Sequence, residues 1–203
     1  MNFLAHFLLA SAHDDLVVGN LIADFARGSV DKVDQRYRAG VALHRRIDAT
    51  TDAHDATRRS VARLRDACGR WASVAADVVF DHVLAREWSD YSREPLEEFA
   101  VRIYRTLAAR SFDLPPRGQR LAAAMASGDW LTSYREIDGI ATALRNMERR
   151  IGRGAMLAGG AEIARVRYSE FRADFEVLFA DLRALVAVAR IRGIDTGPSN
   201  TGH

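Results

Sequence analysis

ADVVFDHVLAREW, residues 76–88, is the stretch on which the fold turns. Val78, Val79, Phe80, Val83, Leu84 and Trp88 crowd it with apolar side chains, and no Gly or Pro interrupts it. It reads as the centre of the most apolar helix of the chain, running from 71 to 91. Yet Asp77, Asp81 and His82 lie inside it. Carboxylates and imidazoles are rare within apolar helices unless something pairs with them.

Outward from that run, helical periodicity continues in both directions. Expected helices cover 2–12, 15–27, 36–50, 53–68, 95–110, 117–127, 129–151 and 161–192. Gly28 and Ser29 end the second, and Asp34 is placed to cap the third. Thr51 and Asp52 read as the N-cap region of the helix from 53. Pro95 suits a helix start, and Pro115-Pro116 breaks the chain. Phe171, Phe175, Leu178, Phe179 and Leu182 form a stripe that reads as core. No period-two alternation marks a strand. The expected fold is all-α: a single multi-helix bundle over 1–192, with 193–203 as a disordered tail.

Composition narrows the function. The net charge of +2 and the absence of a recognised motif argue against nucleic-acid binding. Lys32 is the only lysine among 29 basic residues, so the basic groups are almost all guanidinium forks suited to phosphate and carboxylate. Cys68 is the only cysteine, which excludes an intrachain disulfide and a thiolate zinc site and fits a reducing compartment. FLAHFLLA, 3–10, is too short and too interrupted for a signal peptide, and no stretch is long enough for a membrane span. A cytoplasmic protein is expected.

The polar groups of the first eighty-two residues carry the chemistry. His44 and Asp48 are four apart and share a helix face, with Asp52 on the same line if the helix runs on. They form either a metal site or an exposed face beside Arg45 and Arg46. Asp77 and Asp81 are also four apart and repel unless a cation or an Arg answers them. Asp24 is either a ligand or a neighbour of Arg27, with Asn20 one turn earlier. His6 is either a satisfied core histidine or a ligand. His82 is placed to ligate or to act as an acid–base group. Together these groups point to a metal held between helices, with oxygen and nitrogen donors suited to Mn, Mg, Fe or Zn. Such a metal polarises phosphoryl oxygens and activates water. No phosphate loop or serine nucleophile elbow is present.

MNFLAHFLLA (1–10), GNLIADFARG (19–28), LHRRIDATTDAH (43–54) and DVVFDHVLAREWS (77–89) together resemble the acyl carrier protein phosphodiesterases. GDWLTSYREIDGIATALRNMERRI (128–151) extends the resemblance, which covers roughly 1–190. It implies a Mn²⁺-dependent hydrolase in fatty acid and lipid metabolism. Such an enzyme removes 4′-phosphopantetheine from the serine of holo acyl carrier protein, a small acidic partner. It also implies a distant relation to the all-helical HD phosphohydrolases, although Asp81-His82 reverses the His-Asp pair. By matched position, Asp24, His44, Asp48 and Asp81 are the metal candidates, with Asp77 behind them. His6 and His82 are candidate catalytic groups, and Arg45 and Arg46 candidate phosphate contacts. Arg58, Arg59, Arg63, Arg65 and Arg70 offer a basic face for the acidic partner. Two alternatives stand beside this reading: an HD-like phosphohydrolase of nucleotides or other small phosphoesters, and a non-catalytic helical binding protein.

Overall fold

Residues 76–86 lie in a central helix, and the expected run 71–91 breaks at Glu87. The computed structural model describes residues 1–152 and 156–191. The tail at 193–203 and part of the Gly-rich connection at 152–160 lie outside them. The helices are α1 (Phe3–Ala10), α2 (Asp14–Ala23), α3 (Arg38–Ala53), α4 (Asp55–Cys68), α5 (Ala72–Arg86) and the short α6 (Trp88–Tyr91). They continue as α7 (Leu96–Ala109), α8 (Pro116–Ser127), the short α9 (Trp130–Ser133), α10 (Ile137–Ile151), α11 (Gly160–Val166) and α12 (Tyr168–Ile191). No strand occurs among the described residues, so the fold is all-α.

α5 is buried nearly all round, as its apolar sequence requires, and α1, α4, α10, α11 and α12 pack against it. The expected stripe on α12 is core: Phe171, Phe175, Leu178 and Leu182 are fully buried. Phe175 and Phe179 stack at 4.9 Å, with Tyr91 of α6 edge-on to both.

α2 and α3 pack tightly because both are glycine where they cross. A Cβ on Gly19 would stand 2.8 Å from the Gly40 Cα, and one on Gly40 would stand 2.6 Å from the Leu16 carbonyl oxygen. The backbones therefore touch directly.

Several boundaries differ from expectation. α3 runs through Thr51 and Asp52 to Ala53, and the cap of α4 is His54, whose Nδ1 accepts from the Ala56 N–H at 3.1 Å. Thr51 is fully buried, so leaving the helix there would pull an anchored side chain from the core. α2 stops at Ala23, four residues before the expected end, by tightening into Phe25 N–H···O=C Ile22 at 2.9 Å. The expected 129–151 helix breaks between α9 and α10, where Gly139 packs its Cα against the Ser133 carbonyl. The expected 161–192 helix breaks at Arg167.

Candidate metal centre

Three elements meet at one pocket of about 260 Å³: α1 brings Phe3 and His6, α2 and its end bring Asn20 and Asp24, and α3 brings His44, Asp48 and Asp52. Asp77 of α5 and the Met1 amino group close the wall, the amino nitrogen 3.0 Å from Asp77 Oδ1 and 3.8 Å from Asp48 Oδ1. The helix crossing sets this convergence: Asn20 follows Gly19, and His44 stands one turn beyond Gly40.

His6 and His44 stack with ring centres 4.1 Å apart, and the Asp48 carboxylate spans them. Oδ1 lies 3.0 Å from His6 Nε2, and Oδ2 lies 2.9 Å from His44 Nε2. Asp24 Oδ1 is 4.0 Å from the same His44 nitrogen. One donor atom each from His6, His44 and Asp48 falls within 4.8 Å of the others, the ligand triad among the described residues.

Hydrogen bonding fixes the proton positions on His6. The Asn20 amide nitrogen donates to the Leu16 carbonyl at 3.0 Å and the Gly40 carbonyl at 3.3 Å. Its oxygen must therefore face His6 Nδ1, 3.1 Å away, and accept a proton from it. Burial pulls the His6 pKa down to about 4, against the raising influence of Asp48. At neutral pH the ring is uncharged and its one proton sits on Nδ1. Nε2 then presents a lone pair to a carboxylate oxygen, a contact that is repulsive unless a cation joins the two. Two imidazoles and a carboxylate, one imidazole already oriented from behind by an amide, fit a divalent metal.

Of the other expected residues, Asp24 and Asp77 line the pocket, and Asp81, His82, Arg45 and Arg46 fall elsewhere. Burial pushes the Asp24 carboxyl up to about 6, opposed mainly by His44. Asp81 is fully buried and turns away from the pocket: its two oxygens accept the Leu4 and Ala5 N–H groups at 2.7 and 3.1 Å, which caps α1. His82 faces the opposite side of α5, where its Nδ1 donates to the Tyr134 carbonyl at 2.7 Å in a separate pocket beside Arg86 and Glu136. Arg45 is tied to the Ala26 carbonyl at 3.1 Å, and Arg46 is exposed; neither lines the pocket. The expected basic face is mostly answered by its own acids: Arg58 by Asp55, Arg59 by Asp174, and Arg63 by Asp174 and Glu170.

Sequence reading did not find the apolar cleft of about 610 Å³ beside the pocket, which shares Phe3 with it. Its walls come from α9 and α10, and no periodicity shows where two helices part. Asn20 carried the one available signal, a second polar group among apolar neighbours.

Residues 1–182 match the family model described as acyl carrier protein phosphodiesterase. A protein named acyl carrier protein phosphodiesterase from Escherichia coli O45:K1 (strain S88 / ExPEC) is 38% identical over 152 residues, covering 74% of this chain and 79% of its own. One of the same name from Enterobacter sp. (strain 638) is 39% identical over 157 residues, with the same coverage. No solved structure matches the chain.

Proposed function

The chain belongs to the acyl carrier protein phosphodiesterase family, and from that premise we propose that it hydrolyses the diester joining 4′-phosphopantetheine to a serine of holo acyl carrier protein. The products are apo carrier protein and 4′-phosphopantetheine. The observation that carries the reading is the Asp48 carboxylate spanning His6 and His44 in a pocket rimmed by further acids.

His6, His44 and Asp48 would hold a divalent metal, with Mn²⁺ the proposed ion. Such an ion, when bound, draws charge from a phosphoryl oxygen and eases deprotonation of water. Asn20 holds the His6 ring in the tautomer that leaves Nε2 free. Asp24 lines the pocket and makes no hydrogen bond among the described residues, so it is the free acceptor for the proton of the attacking water. As the water oxygen bonds to phosphorus, the bond to the serine oxygen breaks. That oxygen needs a proton, and the pair of Asp77 with the Met1 amino group, 3.0 Å apart across the pocket, is placed to supply it. His82, Arg45 and Arg46 have no part in this scheme.

The proposed setting is the cytoplasm. A free, buried Cys68 suits a reducing compartment, and no described helix is long and apolar enough to cross a membrane.

Incubation with holo acyl carrier protein and Mn²⁺, followed by intact mass of the carrier, tests the reading. Loss of the phosphopantetheine mass is expected. An unchanged carrier, with hydrolysis of a nucleotide panel instead, would overturn it.

A further inference from the structure

The cleft next to the metal centre is larger than a phosphodiester needs. At about 610 Å³ it has the size of a small-molecule site. Phe3, Trp130 and Ala143 give it apolar walls, and Thr142 and Asn146 place polar groups along the same lining. Such an alternation suits a chain that is neither an ion nor a hydrocarbon.

Two observations join the cleft to the metal centre. Phe3 lines both. Asn2, which lines the polar pocket, donates to the hydroxyl of Tyr134, which lines the cleft, at 3.2 Å. Arg150 lines the cleft as well and makes no ion pair among the described residues.

We infer that the cleft is the binding site for the pantetheine arm of the substrate, with Arg150 as the cation that meets the phosphate where the arm enters the polar pocket. The inference rests on the proposed phosphodiesterase reading. The arm has the chemistry that the lining offers: a branched apolar head beside the phosphate, then two amides and a thiol. Arm amides find Thr142 and Asn146, and methyl and methylene groups find Phe3, Ala143 and Trp130. The serine of the carrier then lies on the other side of the phosphate, at the open acidic rim. A site built this way recognises the prosthetic group first and the carrier second.

The test uses the full chain with Mn²⁺. Pantetheine, which lacks the phosphate, is added as a competitor of holo carrier hydrolysis, and its binding is followed by calorimetry. Competitive inhibition and saturable binding are expected. Ala143→Trp, checked for helicity by circular dichroism, should weaken pantetheine binding and raise KM for holo carrier about tenfold or more. Thr142→Leu serves the same purpose if Ala143→Trp does not fold. Arg150→Ala should weaken 4′-phosphopantetheine while pantetheine still binds. Absence of pantetheine binding to the wild-type protein overturns the inference, as does competition by decanoate in its place. So does an unchanged KM in the folded cleft variants. A wild-type protein that leaves holo carrier intact overturns the phosphodiesterase reading itself, so the two failures are distinct.

Discussion

Asp48 Oδ1 stands 3.0 Å from a His6 nitrogen that carries no proton at neutral pH. Two lone pairs face each other there. Asp48→Asn replaces the carboxylate with an amide able to donate to His6 Nε2, so the metal-free protein should melt no lower than wild type. The variant should also lose its response to metal. Metal at a hundredfold excess over its Kd stabilises by about 2.7 kcal/mol, worth roughly 5–11 °C for a chain of this size. Thermal melts with and without Mn²⁺ check both: wild type should shift by that amount and the variant by none. An equal shift in both would remove Asp48 from the ligand set.

Asn20 would act on a bound metal only through His6, to which its side-chain oxygen is hydrogen-bonded. Asn20→Ala leaves the Nδ1 proton without its acceptor and lets the ring choose the other tautomer. Metal affinity should fall by about 10- to 100-fold, with the helical content kept. Titration of Mn²⁺ against enzyme-bound metal gives the number, and unchanged affinity would leave Asn20 a packing residue.

Asp81 holds the start of α1 rather than the metal pocket. Asp81→Ala strips the cap and orphans two buried N–H groups. A lost cap costs about 0.5–2 kcal/mol, or several degrees in Tm for a domain of this length. Metal content per folded chain should stay unchanged. If elemental analysis found the metal gone while Tm held, Asp81 would be a ligand instead.

Gly40→Ala adds a methyl group 2.7 Å from the Gly19 Cα. Alanine favours a helix over glycine by about 1 kcal/mol, so a free helix would gain from the change. Here α2 must retreat from α3, carrying Asn20 away from His6 and the Gly40 carbonyl. Lower Tm and weaker metal binding are expected together. A gain in Tm would show that the two backbones have room to spare.

Acid should act through Glu170. Arg167 and Arg63 hold its carboxyl down to about 2, below the 4.5 that an unfolded chain would show. Between those values the unfolded state binds the proton and the folded state does not. The contribution is therefore complete above pH 4.5 and is lost as pH falls toward 2. Urea midpoints across that window should fall for wild type, and Glu170→Gln should flatten the decline.

Most of the helices were legible because each is amphipathic or wholly apolar by its own composition. His44 and Asp48 were legible as a pair because the i, i+4 spacing survives any packing. Asp81 was not: its partners are the N–H groups of Leu4 and Ala5, 77 and 76 residues away, and an acid in an apolar helix looks the same whether it caps or ligates. His82 was drawn in by adjacency, yet neighbours on a helix diverge by about 100°, and that angle sent it to another pocket. In the basic run at 58–70, Arg59 and Arg63 pair with Asp174 and Glu170 of α12, partners that no local spacing shows.

α1 is eight residues long, shorter than helices that persist alone in water. It carries His6 into the proposed metal centre and begins with Phe3, the wall shared with the cleft. Both sites thus hang on one short element whose order is borrowed from a carboxylate in the core. Local opening of α1 would dismantle ion binding and arm binding in a single event, and hydrogen exchange at its amides should report the functional fraction of the protein.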